Sequence, residues 1–345
     1  MSKIQSVSMA DIAKAANTTR NTVSVALRNK PGVSEETRVR IQAIAEKMGY
    51  RPNPLVSTLM GAIRSTRPIQ CNANIAFIHC LDGPNQWRGR NHYENFFEGA
   101  RQRGEFTGFS VSPVWLHESG ANLKRMREML LARGVSGVII GPVEMPRRHI
   151  LFPWDDFAVA TIGLSLWRPK LHRAHSDLTQ CMCLAVSELN KLNYQRIGIA
   201  YTDNSDSKFD YAWSSAVGRE MANRPKCLCR PFIGNQGSIN GFDEWLEREQ
   251  PDAIIDATIH HLYDYLLGRG LSIPEKIGYV DLVRSDLPSE VATVHRDLSL
   301  LGAAALDIVT AQLMRNERGL PQNRRSVVIE GVWHPGKTVC QRAEK

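Results

Sequence analysis

The chain has 345 residues, with 43 Lys and Arg against 35 Asp and Glu, a net charge of +8. At 43% apolar and 23% charged residues it has the composition of a folded globular protein, not of a disordered or low-complexity one. No stretch approaches the about 18 consecutive apolar residues that a membrane span requires, and residues 1–7 lack the apolar core of a signal peptide. The expectation is a protein that is neither secreted nor membrane-spanning.

The charge is unevenly placed. Residues 1–67 hold eleven Lys/Arg and four Asp/Glu, a balance of +7, whereas the other 278 residues hold 32 and 31, a balance of +1. A basic head on a near-neutral body is the asymmetry expected of a phosphate-binding module.

In chain order, residues 9–27, MADIAKAANTTRNTVSVAL, read as two short helices joined by a tight turn. Ser8 and Asp11 form an S-x-x-D capping box, in which each side chain satisfies an N–H at the first helix start. Ile12, Ala15 and Ala16 fall at i, i+3 and i+4 and predict one buried face. Asn17 sits where the chain reverses, and Asn is, after Gly, the residue best suited to a left-handed turn. Thr18 or Thr19 can cap the second helix, whose apolar face is Val23, Ala26 and Leu27. Its outer face keeps Arg20, Asn21, Ser24 and Arg28, side chains that hydrogen-bond base edges and phosphates. A third helix follows in VSEETRVRIQAIAEKMG. Ser34 caps it, Glu35 and Glu36 occupy its first turn, Ile41, Ile44, Ala45 and Met48 share a face, and Gly49 ends it. Three such helices can close one small core, which makes this a helix-turn-helix rather than an unliganded helical hairpin.

These residues carry a resemblance to the lac-repressor/gal-repressor family of bacterial regulators along the whole headpiece. Its motifs are D-[IV]-A-x-x-A, T-V-S, V-S-x-x-T-R and G-Y-x-P-N at the family's spacing. The resemblance implies that Arg20, Asn21, Ser24 and Val25 face the major groove, and that Ser8, Thr19, Thr22, Ser34, Thr37 and Tyr50 position phosphates. Two residues depart from the pattern. Asn17 replaces the usual turn Gly, and Val25 stands where many members carry Arg, which removes a bidentate reader of guanine.

Residues 53–64, NPLVSTLMGAIR, can form a helix with Asn53 as cap and Pro54 in its first position, too short to hold alone in water. The resemblance makes this the hinge helix, with Leu59 wedged into the minor groove, where an apolar wedge kinks the duplex. Residues 65–74 then read as a linker. The seven cysteines are odd in number, and the two C-x-C pairs lack zinc-site spacing, so free thiols in a reducing cytosol are expected.

From residue 74 onward apolar runs alternate with helical patterns. Strands are predicted at 75–80, 110–115, 137–141, 158–163, 196–201, 253–256, 276–280 and 327–331, with helices at 93–103, 122–132, 178–192 and 300–315. Such βαβ alternation with buried strands predicts parallel sheets, and about 270 residues exceed one ordinary domain. The stretches RGVSGVIIG, LNKLNYQRIGIAY and TVHRDLSLLGAAALDIV continue the resemblance. It implies a periplasmic-binding-protein-like core of two parallel-sheet lobes with a ligand cleft between them. The N-lobe is expected at about 75–174 and 297–323 and the C-lobe at about 176–294 and 326–345, with chain crossings near 173–176, 293–297 and 322–326.

The body shows no phosphate-binding Gly-rich pattern, and the adjacent His260 and His261 or Asp155 and Asp156 carry no supporting cluster. No metal, cofactor or catalysis is therefore expected. Sugar clefts stack aromatics on ring faces and fix hydroxyls with polar groups. By the resemblance, the effector candidates are Trp87, Arg90, His92 and Tyr93 after the first strand, Phe209 in place of the family's cleft Arg, Gln236, Thr258 and Asp281. Trp213 is assigned to the core. The function expected is a sequence-specific DNA-binding transcriptional regulator, a repressor in the first instance. Its affinity for a near-palindromic double-stranded operator would be set by a small-molecule effector, with a saccharide as one candidate. A homodimer, cytoplasmic and nucleoid-associated, is expected. The alternative is a cytosolic small-molecule-binding protein or a sugar-acting enzyme of the two-lobed fold, against which the headpiece stands.

Overall fold

The computed structural model describes residues 7–27, 32–50, 73–118, 120, 122–145, 148–235, 238–257, 259, 261–283 and 288–343. The chain divides into two compact units, one of 1–72 with 312–317 and one of 73–311 with 318–345.

Among the described residues the headpiece holds three helices, α1 (Met9–Ala15), α2 (Arg20–Leu27) and α3 (Glu35–Lys47). The predicted capping box is present: Ser8 N donates to Asp11 Oδ2 at 2.8 Å and Asp11 N to Ser8 Oγ at 3.3 Å. These bonds to Ser8 hold the Asp11 carboxyl below its ordinary pKa. Asn17 takes the turn at φ +48°, a left-handed value that Asn tolerates. Thr19 caps α2 through Thr22 N, and Ser34 caps α3 through Thr37 N. The core is Ile12, Ala13, Ala16, Val23, Ala26, Ile41 and Ala45. One residue differs from the predicted face: Ala15 is exposed and Ala13 is buried in its place. A seven-residue helix packed on two others buries a broader stripe than one i, i+3, i+4 row, and Ala13 lies on its far edge. Gln42 Nε2 ties α3 to the end of α2 by donating to Ala26 O at 3.2 Å.

The body holds two six-stranded sheets. The first is parallel throughout, in the order β13 (Ser326–Ile329), β7 (His172–Ser176), β5 (Ala158–Ile162), β3 (Val135–Ile140), β1 (Asn74–His79) and β2 (Ser110–Trp115). The second runs β14 (Val332–His334), β12 (Ala292–His295), β11 (Gly278–Asp281), β10 (Ala253–Asp256), β8 (Ile197–Thr202) and β9 (Phe232–Gly234), with β14 alone antiparallel. A short pair, β4 (Arg148–His149) and β6 (Leu166–Arg168), lies apart from both. Helices α4 (Asn91–Thr107), α5 (Leu123–Ala132), α6 (Leu178–Lys191), α7 (Asp203–Lys208), α8 (Ala212–Asn223), α9 (Phe242–Glu249), α10 (Leu262–Gly268) and α11 (Leu298–Met314) make the connections. Strands such as β5 and β10 are buried at every residue because helices cover both sheet faces, and their sequences are accordingly continuous apolar runs.

All eight predicted strands are present. Those missed are short or polar: β7 reads HRAHS and is buried at four of its five positions. The chain passes from the first sheet to the second after β7, returns after β12, and crosses a third time between β13 and β14. The third crossing expected near 322–326 is therefore displaced to 330–331, because Ser326–Ile329 pairs with Arg173–Ser176 and belongs to the first sheet.

α4 and α11 approach more closely than side chains allow. A Cβ on Gly99 would lie 1.9 Å from Ser299 O, and one on Gly302 would lie 2.0 Å from Phe96 O. Only glycine fits at either crossing point, and this contact fixes the N-terminal end of α11 against the middle of α4.

Candidate nucleic-acid interface and ligand cleft

In the headpiece, α2 presents Arg20 and Asn21 to solvent, with Thr22, Ser24 and Val25 half-buried at its flank and Val23 and Ala26 turned inward. An outward polar face on a helix anchored by a small apolar core suits a helix laid in a major groove. Ser8, Thr19 and Ser34 each stand at a helix start, where the first N–H groups and the macrodipole favour anions. Thr22 and Thr37 hydroxyls bond to those of Thr19 and Ser34, at 2.9 and 2.8 Å, so both are preset on the same ends. Tyr50 is half-buried against the headpiece core, and its N–H donates to Ala45 O at 2.8 Å. Arg28, Asn53 and Leu59 lie outside the described residues.

In the body a cavity of about 640 Å³ opens between the two sheets' C-terminal edges. From the first lobe it takes the start of α4, where three of the sequence candidates, Arg90, His92 and Tyr93, line it. From the second lobe it takes the end of α7, with Lys208 and the predicted Phe209. Tyr93 Oη donates to Pro142 O at 2.7 Å, which leaves its ring rather than its hydroxyl to face a ligand. With Phe96 and Phe209 it gives the cavity an aromatic floor.

The polar wall is mostly cationic. The Arg90 guanidinium pairs with Glu144, the one carboxylate in the wall among the described residues. Burial lowers the Lys208 ammonium below its ordinary pKa, with Glu144 opposing, and burial lowers Arg296 in the same way. His92 is held below its usual value first by burial and then by the charges of Lys208 and Arg90. His175 is lowered by burial, against a 3.0 Å bond between its Nδ1 and Ser176 O. Such a wall of donors over aromatic rings can orient hydroxyls and hold an oxyanion.

Two sequence candidates fall elsewhere. Trp87 does not line the cavity: its ring stands edge-on to Phe97 at 5.1 Å and 6.3 Å from His79, so its faces are already used. Asp281 is 1% exposed and accepts from Tyr279 Oη at 3.2 Å and Val283 N at 2.7 Å, so it braces β11 behind the wall. Gln236, Thr258 and His260 lie outside the described residues. Trp213 is wholly buried in the second lobe's core, as assigned. Asp156 pairs with Arg127 at 2.5 Å.

Sequence reasoning missed Glu144, Ser165, His175 and Arg296. Glu144 and Ser165 sit on loops after strands, where no periodicity marks a residue. His175 had a usable signal, since a buried strand spelled HRAHS must aim its polar groups at something. Arg296 sits inside TVHRDLSLLG, which was read only for its fold.

The description of bacterial regulatory proteins of the lacI family matches residues 8–53. The transcriptional regulator MalR of Streptococcus pneumoniae is 33% identical over 94 residues, 25% of this chain and 29% of that protein, so the match spans under a third of its length. Two solved structures are similar over nearly the whole chain. A transcriptional regulator CelR–cellobiose complex has a TM-score of 0.55 at 15% identity, covering 96% of this chain and 99% of that one. The lac repressor dimer bound to operator and the anti-inducer ONPF has a TM-score of 0.53 at 18% identity, covering 97% and 100%. At these identities the likeness of the body is one of fold. The headpiece, residues 8–53, is thus similar to the lacI family of bacterial regulatory proteins, and the body shares its fold of two parallel-sheet lobes with these solved structures.

Proposed function

We propose that this protein is a sequence-specific, DNA-binding transcriptional regulator, a repressor in its simplest form, whose operator affinity is set by a small molecule held between the lobes. The observation that carries it is α2, with Arg20 and Asn21 exposed on the outer face and Val23 and Ala26 in the core. Those two side chains, with Ser24 and Val25, are the readers of base edges. Ser8, Thr19, Thr22, Ser34, Thr37 and Tyr50 position the backbone. Arg28, Asn53 and Leu59 join them on the strength of the sequence alone.

One headpiece makes about three base contacts, too few for specificity in a genome. A two-fold homodimer doubles the footprint and demands a near-palindromic operator. The body supplies the control. A ligand that closes the cleft changes the relative placement of the lobes, and linkage then requires DNA to alter ligand affinity by the same factor as ligand alters DNA affinity. The resolved relatives named above include a complex with cellobiose and one with operator and an anti-inducer, which supports an effector of saccharide type in the cleft. The protein acts in the cytoplasm on DNA and catalyses no reaction. Among the described residues no helix is long and apolar enough to cross a membrane.

The test is selection of bound duplexes from a random pool, repeated with Arg20→Ala. A palindromic consensus that loses preference at particular base pairs in the variant, at a cost of about 1–3 kcal/mol, is the expected result. An unchanged consensus would show that α2 is not the reading helix. Recovery of no consensus from the wild type would sink the regulator reading.

A further inference from the structure

Within the reading of the cleft as an effector site, we propose that the effector is an anion: a hydroxylated small molecule bearing a carboxylate or phosphate group rather than a neutral sugar. Among the described residues the cavity wall carries Arg90, Lys208 and Arg296 against one carboxylate, that of Glu144, and Glu144 is already taken by Arg90. The three cations and Glu144 all act electrostatically on one imidazole, that of His92, which places them around a common space rather than on separate flanks. Lys208 has no hydrogen-bond acceptor among the described residues; Glu144, its nearest opposing charge, lies on the facing lobe. Arg296 makes one bond, from Nη2 to Val283 O at 3.2 Å, and its remaining donors are uncommitted among the described residues.

The excess continues past the wall. His175 lines the cavity and feels Arg173 and Arg324, and Arg173 is 3% exposed with its Nε lacking a hydrogen-bond partner among the described residues. The carboxylates that answer these groups are Asp177 for His175, Asp210 for Arg173 and Asp281 for Arg296, all outside the wall. A buried cation without a partner is costly, and a site keeps one where a ligand supplies the opposite charge. A neutral sugar offers hydroxyls to these donors but leaves the charges of Lys208 and Arg296 unanswered. An oxyanion satisfies both at once and attaches one lobe to the residue where the chain crosses to the other. That is a means of drawing the cleft closed.

The experiment is calorimetric titration and thermal shift of the full chain at fixed ionic strength. The probes are D-glucose and D-galactose, their uronates and their 6-phosphates, alongside a gel-shift with the selected operator. The acids are expected to bind and raise Tm while the neutral parents bind at least about tenfold more weakly. Lys208→Met should lose about tenfold or more in acid affinity and leave neutral-sugar affinity within about twofold. Arg296→Met should do the same, and Lys208→Met, which breaks no hydrogen bond among the described residues, stands as the variant that folds. The uronate and phosphate arms tell carboxylate from phosphate. Equal binding of neutral parents and acids, acid binding unaffected by Lys208→Met, or no response to any acid overturns the inference. The gel-shift is scored separately, so a failed acid response with operator binding intact leaves the regulator reading standing.

Discussion

The headpiece and the body reach order by different routes. The headpiece closes a core of seven buried side chains, four of them alanine, and its helix starts are set by Ser8, Thr19 and Ser34 from within three residues. The body depends on contacts between residues far apart in sequence. Gly99 meets Ser299, Asn74 Nδ2 bonds to Arg133 O at 2.7 Å, and Thr338 Oγ1 donates to Tyr279 O at 2.7 Å. A module made of local signals can be recognised from its sequence and is easily destabilised. A module made of distant contacts hides its site but has stability to spare for a cleft lined with buried charge.

The largest expected effect is therefore in the smaller unit. Ile12→Ala removes a fully buried side chain from a core of seven residues in which only Val23 and Ile41 are other branched aliphatics, at a cost of about 3 kcal/mol. That is most of what a domain of this size holds in reserve. Circular dichroism and operator titration should show a headpiece that melts before the body, with the body's Tm unchanged; a body Tm that falls in step would mean the units are not separable. Next in size is Gly302→Ala, whose Cβ meets Phe96 O at 2.0 Å. Main chain cannot yield as a side chain does, and a loss of about 2 kcal/mol in the body is expected, read as a lower thermal midpoint with operator contacts retained.

Smaller again is Ser34→Ala, which removes the α3 cap and should cost about 1 kcal/mol of headpiece stability. If Ser34 also serves a phosphate, operator affinity falls by more than the stability loss explains. The smallest effect is on pH dependence. His92 and His175 have folded pKa values below the ordinary 6.5, so between the two values the unfolded chain binds more protons. Body stability is then full above about pH 6.5 and declines as pH falls through that window toward the folded values. His92→Gln should flatten part of the decline. The groups facing His92 are Lys208, Arg90, Glu144 and Arg296, and an anion among them would reduce the slope by favouring the imidazolium. Denaturant midpoints measured from pH 5 to 8, with and without glucuronate, check both points.

What the sequence determined by itself is the local chemistry. The S-x-x-D box, Asn17 at the turn, the caps and the apolar spacing each act within one helical turn, so the headpiece was legible almost residue by residue, with Ala13 for Ala15 the exception. Continuous apolar runs marked buried strands such as β1, β5 and β10 for the same reason, since two covered faces require them, whereas β2 and β13 are largely exposed. Tertiary structure alone decided where the chain crosses last, because a pairing of Ser326–Ile329 with Arg173–Ser176 depends on residues about 150 positions apart. It also decided the cleft. Trp87 and Asp281 have the right chemistry for a ligand, yet Phe97 and His79 occupy one and Tyr279 with Val283 the other. Lys208, Glu144 and Arg296 come from three separate connections, and nothing in any one of them records that the folded chain brings their charges around the same space.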